Sequence, residues 1–134
     1  VRKAAGSDPR IVLAGFTQGA ELAELYSNAY AYVLPSDLEG MPMSLLEALS
    51  YGNCCLTSDI PECADVLKGE NGVMHGVTFR QGDVDDLAAR LRELLDHPDT
   101  VAAFGKDAAA YVTGRYNWDK VVQATLKLYR GADK

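Results

Sequence analysis

Glu39 and Glu47 are two carboxylates with seven residues between them, in a stretch from Ile11 to Leu67 that contains no lysine or arginine. Neither has a cation nearby in sequence to pair with, so each is free to accept hydrogen bonds from hydroxyl groups. The residues between them point to a second chemistry. Gly40 carries no Cβ, so its backbone can lie close to a ligand. Pro42 suits the first turn of a helix, where a missing N–H costs nothing. Ser44 and Glu47, three apart, then share one helix face. A helix start offers unpaired N–H groups and roughly half a positive charge, which is a site for an anion such as phosphate. Carboxylates repel phosphate, so Glu39 and Glu47 must meet the uncharged part of any such ligand. A nucleotide sugar has both parts, a diphosphate for the amides and sugar hydroxyls for the carboxylates. Either glutamate taken alone reads as a solvated surface carboxylate; the constellation reads as a site.

The elements that must hold these residues follow from the apolar pattern. Residues 30–34 form a short β-rich run, which Pro35 ends because it cannot donate to a ladder. Leu45, Leu46 and Leu49 make the apolar stripe of the helix that follows, and Gly52 terminates it. Residues 11–14 (Ile11, Val12, Leu13, Ala14) are predicted as the first strand, with residues 15–19 as the loop at its carboxyl end. Leu22, Leu25, Tyr26 and Ala29 predict an amphipathic helix. Residues 54–57 are predicted as the third strand, followed by a short helix through about Leu67 and a Gly-rich loop over 68–74. Residues 76–79 are the predicted last strand, with 73–75 competing for that place. Beyond Gly82 the pattern is helical, with Asp83 and Asn117 as N-caps and His97-Pro98 as a break. Gly105 weakens the helix after that break. Strands alternating with helices predict a parallel sheet in the α/β class.

Composition narrows the function classes. With 134 residues and 48% hydrophobic content, the chain is long enough for one core. Its net charge of −6 argues against nucleic-acid partners and a polybasic membrane face. No apolar run approaches the ~20 residues of a membrane span, and the start lacks the apolar core of a signal peptide. Cys54 and Cys55 are neighbours in a predicted strand, so they face opposite sides and cannot readily pair. With Cys63 they read as small buried filler of a reducing compartment.

Glu39 and Glu47 with Gly40 and Pro42 between them resemble the paired-glutamate motif of retaining glycosyltransferases of family 4, the group 1 class. Residues 33–36, 46–48, 58–62, Gly82-Asp83 and 116–118 fall in that family's order and spacing. The resemblance implies a Rossmann-like parallel sheet with flanking helices, covering the later part of the C-terminal, donor-binding domain of a two-domain GT-B enzyme. It implies transfer of a sugar from a nucleoside diphosphate to an acceptor hydroxyl with anomeric configuration kept, without a metal or other cofactor. It leaves the sugar, the base and the acceptor open. By resemblance Glu39 holds sugar hydroxyls at the reacting centre and Glu47 ribose hydroxyls. The amides of Gly40, Met41, Met43 and Ser44, around Pro42, meet the diphosphate, and Gly15 and Phe16 contact the base. A nucleotide-sugar epimerase of the same architecture and a non-catalytic nucleotide-binding module are the alternatives. The resemblance also places the family's Arg and Lys, its first two strands and its acceptor domain upstream of residue 1. It further implies a cytoplasmic setting, peripheral to the membrane at most. In the order 3-2-1-4-5-6, residues 11–14 would be the third strand and residues 31–34 the fourth, with two strands between them. Without those two, residues 11–14 must dock directly, pair with another molecule or detach, and self-association through exposed sheet edges is the favoured expectation.

Overall fold

The computed structural model describes residues 2–69 and 71–131; Val1, and Glu70 of the expected Gly-rich loop, lie outside them. In chain order the elements are α1 (Arg2–Ala5), α2 (Gly19–Asn28), β1 (Tyr32–Leu34), α3 (Met43–Ser50), β2 (Cys55–Ser58), α4 (Pro61–Leu67), β3 (Val77–Phe79), α5 (Val84–Asp96), α6 (Pro98–Arg115) and α7 (Trp118–Arg130). The three strands form one parallel sheet in the order β1-β2-β3, with Val33 opposite Leu56 and Leu56 opposite Val77. Each parallel neighbour is reached through a crossover helix, as parallel pairing requires. The alternation of strand and helix therefore has the predicted outcome.

The central strand β2 is buried along its whole length. That explains its near-continuous apolar run, since a parallel strand covered on both faces has no solvent side. One face packs Cys55 with Leu45, Ala48 and Leu49 of α3 and Cys63, Val66 and Leu67 of α4. The other packs Cys54 and Leu56 with Phe79, Leu94 of α5 and Val101 of α6. Cys54 and Cys55 thus do face opposite sides, and all three cysteines are free and buried. Burial pushes the Cys54 thiol up to about 11 and the Cys55 thiol higher still.

The helix boundaries follow the caps. Asp83 Oδ1 accepts from the Asp86 N–H at 2.9 Å, and Asn117 Oδ1 from the Asp119 N–H at 2.8 Å. Gly52, at φ +77°, ends α3 in the left-handed region that favours glycine.

Residues 11–14 correct the sequence reading. They are not a strand, and Ile11, Val12 and Leu13 are 48%, 82% and 48% exposed. A β-rich run becomes a strand only when a ladder partner takes its N–H and C=O groups. The three strands among the described residues pair only with one another. Of the three outcomes set out above, the single chain shows the run unpaired rather than docked on β1. The runner-up for the last strand, residues 73–75, contributes only an isolated antiparallel bridge between Lys68 and Met74.

Helix α6 passes from one face of the sheet to the other. Its start packs Val101 and Phe104 in the β3-side cluster, and its end packs Ala108, Tyr111 and Val112 in the α3 cluster. It crosses the end of α3 at Gly105, where an added Cβ would lie 2.5 Å from the Gly52 carbonyl oxygen. Gly105 is therefore the point of closest backbone approach rather than a weakness in the helix.

Past that crossing, His75 stacks on Tyr111 with ring centroids 3.6 Å apart and planes 6° from parallel. The Tyr111 hydroxyl donates to Val66 O at 2.7 Å, and Arg115 Nη1 donates to Lys68 O at 2.6 Å. Burial lowers the His75 pKa, with Arg115 acting in the same direction and Asp107 against it. A histidine held neutral stabilises the fold fully above its unfolded value of about 6.5, and that stability is lost as pH falls through the lower folded value. His75→Phe, which keeps the stack, should therefore flatten the fall in melting temperature as pH drops below about 6.5. An unchanged pH profile would show that His75 does not titrate with folding.

Candidate functional site

All strands run parallel, so the loops after β1, β2 and β3 meet at one end of the sheet. The loop after β1, residues 35–42, carries Glu39 and Gly40 and ends on Pro42. Pro42 is fully buried and sits one residue before α3 as its N-cap, rather than inside the first turn. Its carbonyl accepts from the Leu45 and Leu46 N–H groups at 3.0 and 3.1 Å. The Met43 N–H is consumed by Met41 O at 2.8 Å, a loop-internal bond that sequence reasoning could not foresee. Among the described residues, the N–H groups of Gly40, Met41 and Ser44 have no hydrogen-bond acceptor. These three remain from the expected set of amides.

The two carboxylates differ in their support. Ser36 Oγ donates to Glu39 Oε1 at 2.6 Å, which fixes the partly buried Glu39 against its own loop. Glu47 is exposed on α3, beside the Tyr26 phenol. Burial first, then the Glu47 charge, pushes that phenol up to about 12, so Tyr26 stays a protonated donor. Tyr32 donates to Ser44 Oγ at 2.8 Å, and burial raises its pKa as well.

A polar strap joins the three strand-end loops. The Gln81 N–H donates to Asp59 Oδ1 at 2.8 Å and its side-chain amide to Asp37 O at 3.0 Å. Asp37 follows β1, Asp59 follows β2 and Gln81 follows β3. One glutamine therefore fixes the loop that carries Glu39 relative to its neighbours. Ser36 was legible as part of a motif, whereas no sequence signal marks Gln81 or the two tyrosines as neighbours of the site.

Gly15 and Phe16 are not brought in by any contact. Gly15 has φ +76° in the unpaired segment and Phe16 is 89% exposed. A hollow of about 730 Å³ lies at the other end of the sheet, lined by Asn71, His75, Asp107, Tyr111, Arg115 and Lys120 among others. Its size alone does not make it the site. Arg115 and Lys120 are already occupied by backbone carbonyls of Lys68 and Gly114, whereas the amides at the start of α3 are open.

Comparison with known proteins gives a consistent result. The family profile described as "Glycosyl transferases group 1" matches residues 2–111. The sulfoquinovosyl transferase SQD2 of Arabidopsis thaliana is 33% identical over 107 residues, 80% of this chain and 21% of that protein. The glycogen synthase of Mycobacterium tuberculosis H37Rv is 32% identical over 121 residues, 90% of this chain and 28% of that protein. The chain thus spans between a fifth and a third of the length of these relatives. Among solved structures, the sucrose-phosphate synthase from Thermosynechococcus elongatus superposes with a TM-score of 0.80 at 24% identity, over 92% of this chain and 30% of that one. TarM superposes with a TM-score of 0.71 at 19% identity, over 83% and 22%. These two likenesses place the parallel sheet and its helices in the GT-B fold. No helix among the described residues is long and apolar enough to cross a membrane.

Proposed function

We propose a function from one premise, that this chain belongs to the group 1 glycosyltransferases: it is the nucleotide-sugar-binding part of a retaining enzyme of that family. The observation that carries this reading is the open N-terminus of α3, with unpartnered Gly40, Met41 and Ser44 amides between two carboxylates. A departing diphosphate gains charge as the glycosidic bond breaks, and preorganised donors aimed at that charge lower the barrier. In this reading the amides and the Ser44 hydroxyl meet the diphosphate without a metal ion. Glu39, held by Ser36, orients the sugar hydroxyls, and Glu47 takes the ribose. The base contact assigned to Gly15 and Phe16 would need their segment to settle against the bound nucleotide. The acceptor-binding part of the enzyme lies outside these 134 residues in this reading, in keeping with the small share of each relative that the chain spans. The unpaired run at 11–14 and the outer edge of β1 offer surfaces for self-association, which a concentration series in sedimentation velocity would reveal or dismiss.

The test is binding. The chain should bind a nucleoside diphosphate more tightly than the monophosphate, and both more tightly than the nucleoside, with affinity falling as salt rises. Equal binding of the three, or none, contradicts the reading.

Gly40 gives a sharper version. An added Cβ there would meet nothing within 4 Å, and its φ is not positive, so the fold itself does not require glycine. Gly40→Ala should leave stability unchanged or raised by about 0.4–1 kcal/mol. It should also weaken nucleoside diphosphate binding about tenfold, by keeping the ligand off the amides. Unchanged affinity in a stable variant would remove this loop from the site.

A further inference from the structure

Tyr32 stands behind the anion-binding loop, half-buried on β1 with its ring 5.9 Å from that of Tyr26. Tyr26 in turn stacks on Tyr51 at 5.4 Å, with planes 19° apart. This aromatic row fixes the phenol of Tyr32 in place, and the phenol donates to Ser44 Oγ at 2.8 Å. A serine hydroxyl has one proton and two acceptor lone pairs. The Ser44 oxygen accepts from Tyr32, and among the described residues its own O–H donates to no acceptor. Ser44 lies in the first turn of α3, beside its own open N–H and that end's partial positive charge.

We propose that Tyr32 is a positioning residue for phosphate binding: by donating to Ser44 it locks the serine rotamer and leaves the serine proton to be given to a phosphate oxygen. This rests on the donor-binding reading above. A purely structural role for the Tyr32–Ser44 bond makes a different prediction, because removing it would then alter stability and leave phosphate affinity alone.

The experiment is a heteronuclear NMR titration of the 134-residue chain with inorganic pyrophosphate and with ADP, GDP and UDP. It uses wild type, Tyr32→Phe, Ser44→Ala, the double variant and Ser44→Thr, with thermal unfolding recorded for each. Tyr32→Phe and Ser44→Ala should each weaken pyrophosphate and the preferred nucleotide about three- to tenfold. The double variant should be no weaker than the weaker single one, because Tyr32 acts only through the Ser44 hydroxyl and has nothing left to position once that hydroxyl is gone. Ser44→Thr, which keeps the hydroxyl, should retain affinity. If wild type binds and Tyr32→Phe binds equally well, or the two losses multiply in the double variant, the positioning role is wrong while the donor-binding reading stands. If wild type binds neither pyrophosphate nor any nucleotide, the donor-binding reading fails and takes this proposal with it.

Discussion

Glu47→Ala is expected to weaken nucleoside diphosphate binding by about 1.5–3 kcal/mol, roughly ten- to a hundredfold, the range for hydrogen bonds to a charged group. The expectation follows from where the carboxylate sits. Glu47 is one turn into α3 on the face of Ser44, exposed, with the Tyr26 phenol beside it. Its exposure means that removing it should cost the fold little, so a lost affinity would report lost ligand contacts. The effect should be specific to the ribose. Pyrophosphate, which has no hydroxyls of this kind, should bind Glu47→Ala as well as wild type, or better, since a repelling charge has gone. Glu47→Gln should fall between the two. A loss for pyrophosphate equal to that for the nucleotide would show that the variant has disturbed the helix start rather than a hydroxyl contact. Glu39 should behave differently in a catalytically complete enzyme, where Glu39→Gln should reduce the rate more than donor affinity, because sugar orientation counts most at the transition state.

Gly105→Ala is expected to destabilise the domain by about 1–3 kcal/mol, a drop of several degrees in melting temperature. Local propensity predicts the opposite sign, since alanine favours a helix interior over glycine by roughly 1 kcal/mol. Packing decides against propensity here. The new Cβ would meet the Gly52 carbonyl oxygen at 2.5 Å. Both partners are backbone, so no flexible side chain can move aside, and α6 must lift from the end of α3. Core residues on both helices, Leu49 and Ala108 among them, would lose contact together. Differential scanning calorimetry on the two proteins decides it, and a higher melting temperature for Gly105→Ala would show that the crossing relaxes freely.

The contrast at Gly105 shows where sequence reasoning reaches its limit. Periodicity finds helices because the 3.6-residue repeat lies within each helix, and α3, α5 and α7 were all legible in this way. Caps are local as well, so Asp83, Asn117 and Gly52 could be assigned from residue type. A helix crossing depends on two segments 53 positions apart in number, Gly52 and Gly105, and nothing in either segment announces the other. The run at 11–14 failed for a related reason. Its composition is that of a strand, but β structure is completed by a partner, and the described residues supply none. At the site, the motif pointed to Glu39, Gly40, Pro42, Ser44 and Glu47. The groups that hold them, Gln81 from the end of β3 and Tyr32 from β1, became visible only once the parallel sheet had gathered its loop ends together.

In the proposed function, the start of α3 receives the diphosphate of a nucleotide sugar. The most direct test is an amide shift map of the isotopically labelled chain on titration with a nucleoside diphosphate. The largest shifts are expected on Gly40, Met41 and Ser44, with smaller ones on Glu39 and Glu47, all scaling down with added salt. Shifts centred instead on Asn71, His75, Arg115 and Lys120, at the opposite end of the sheet, would contradict it.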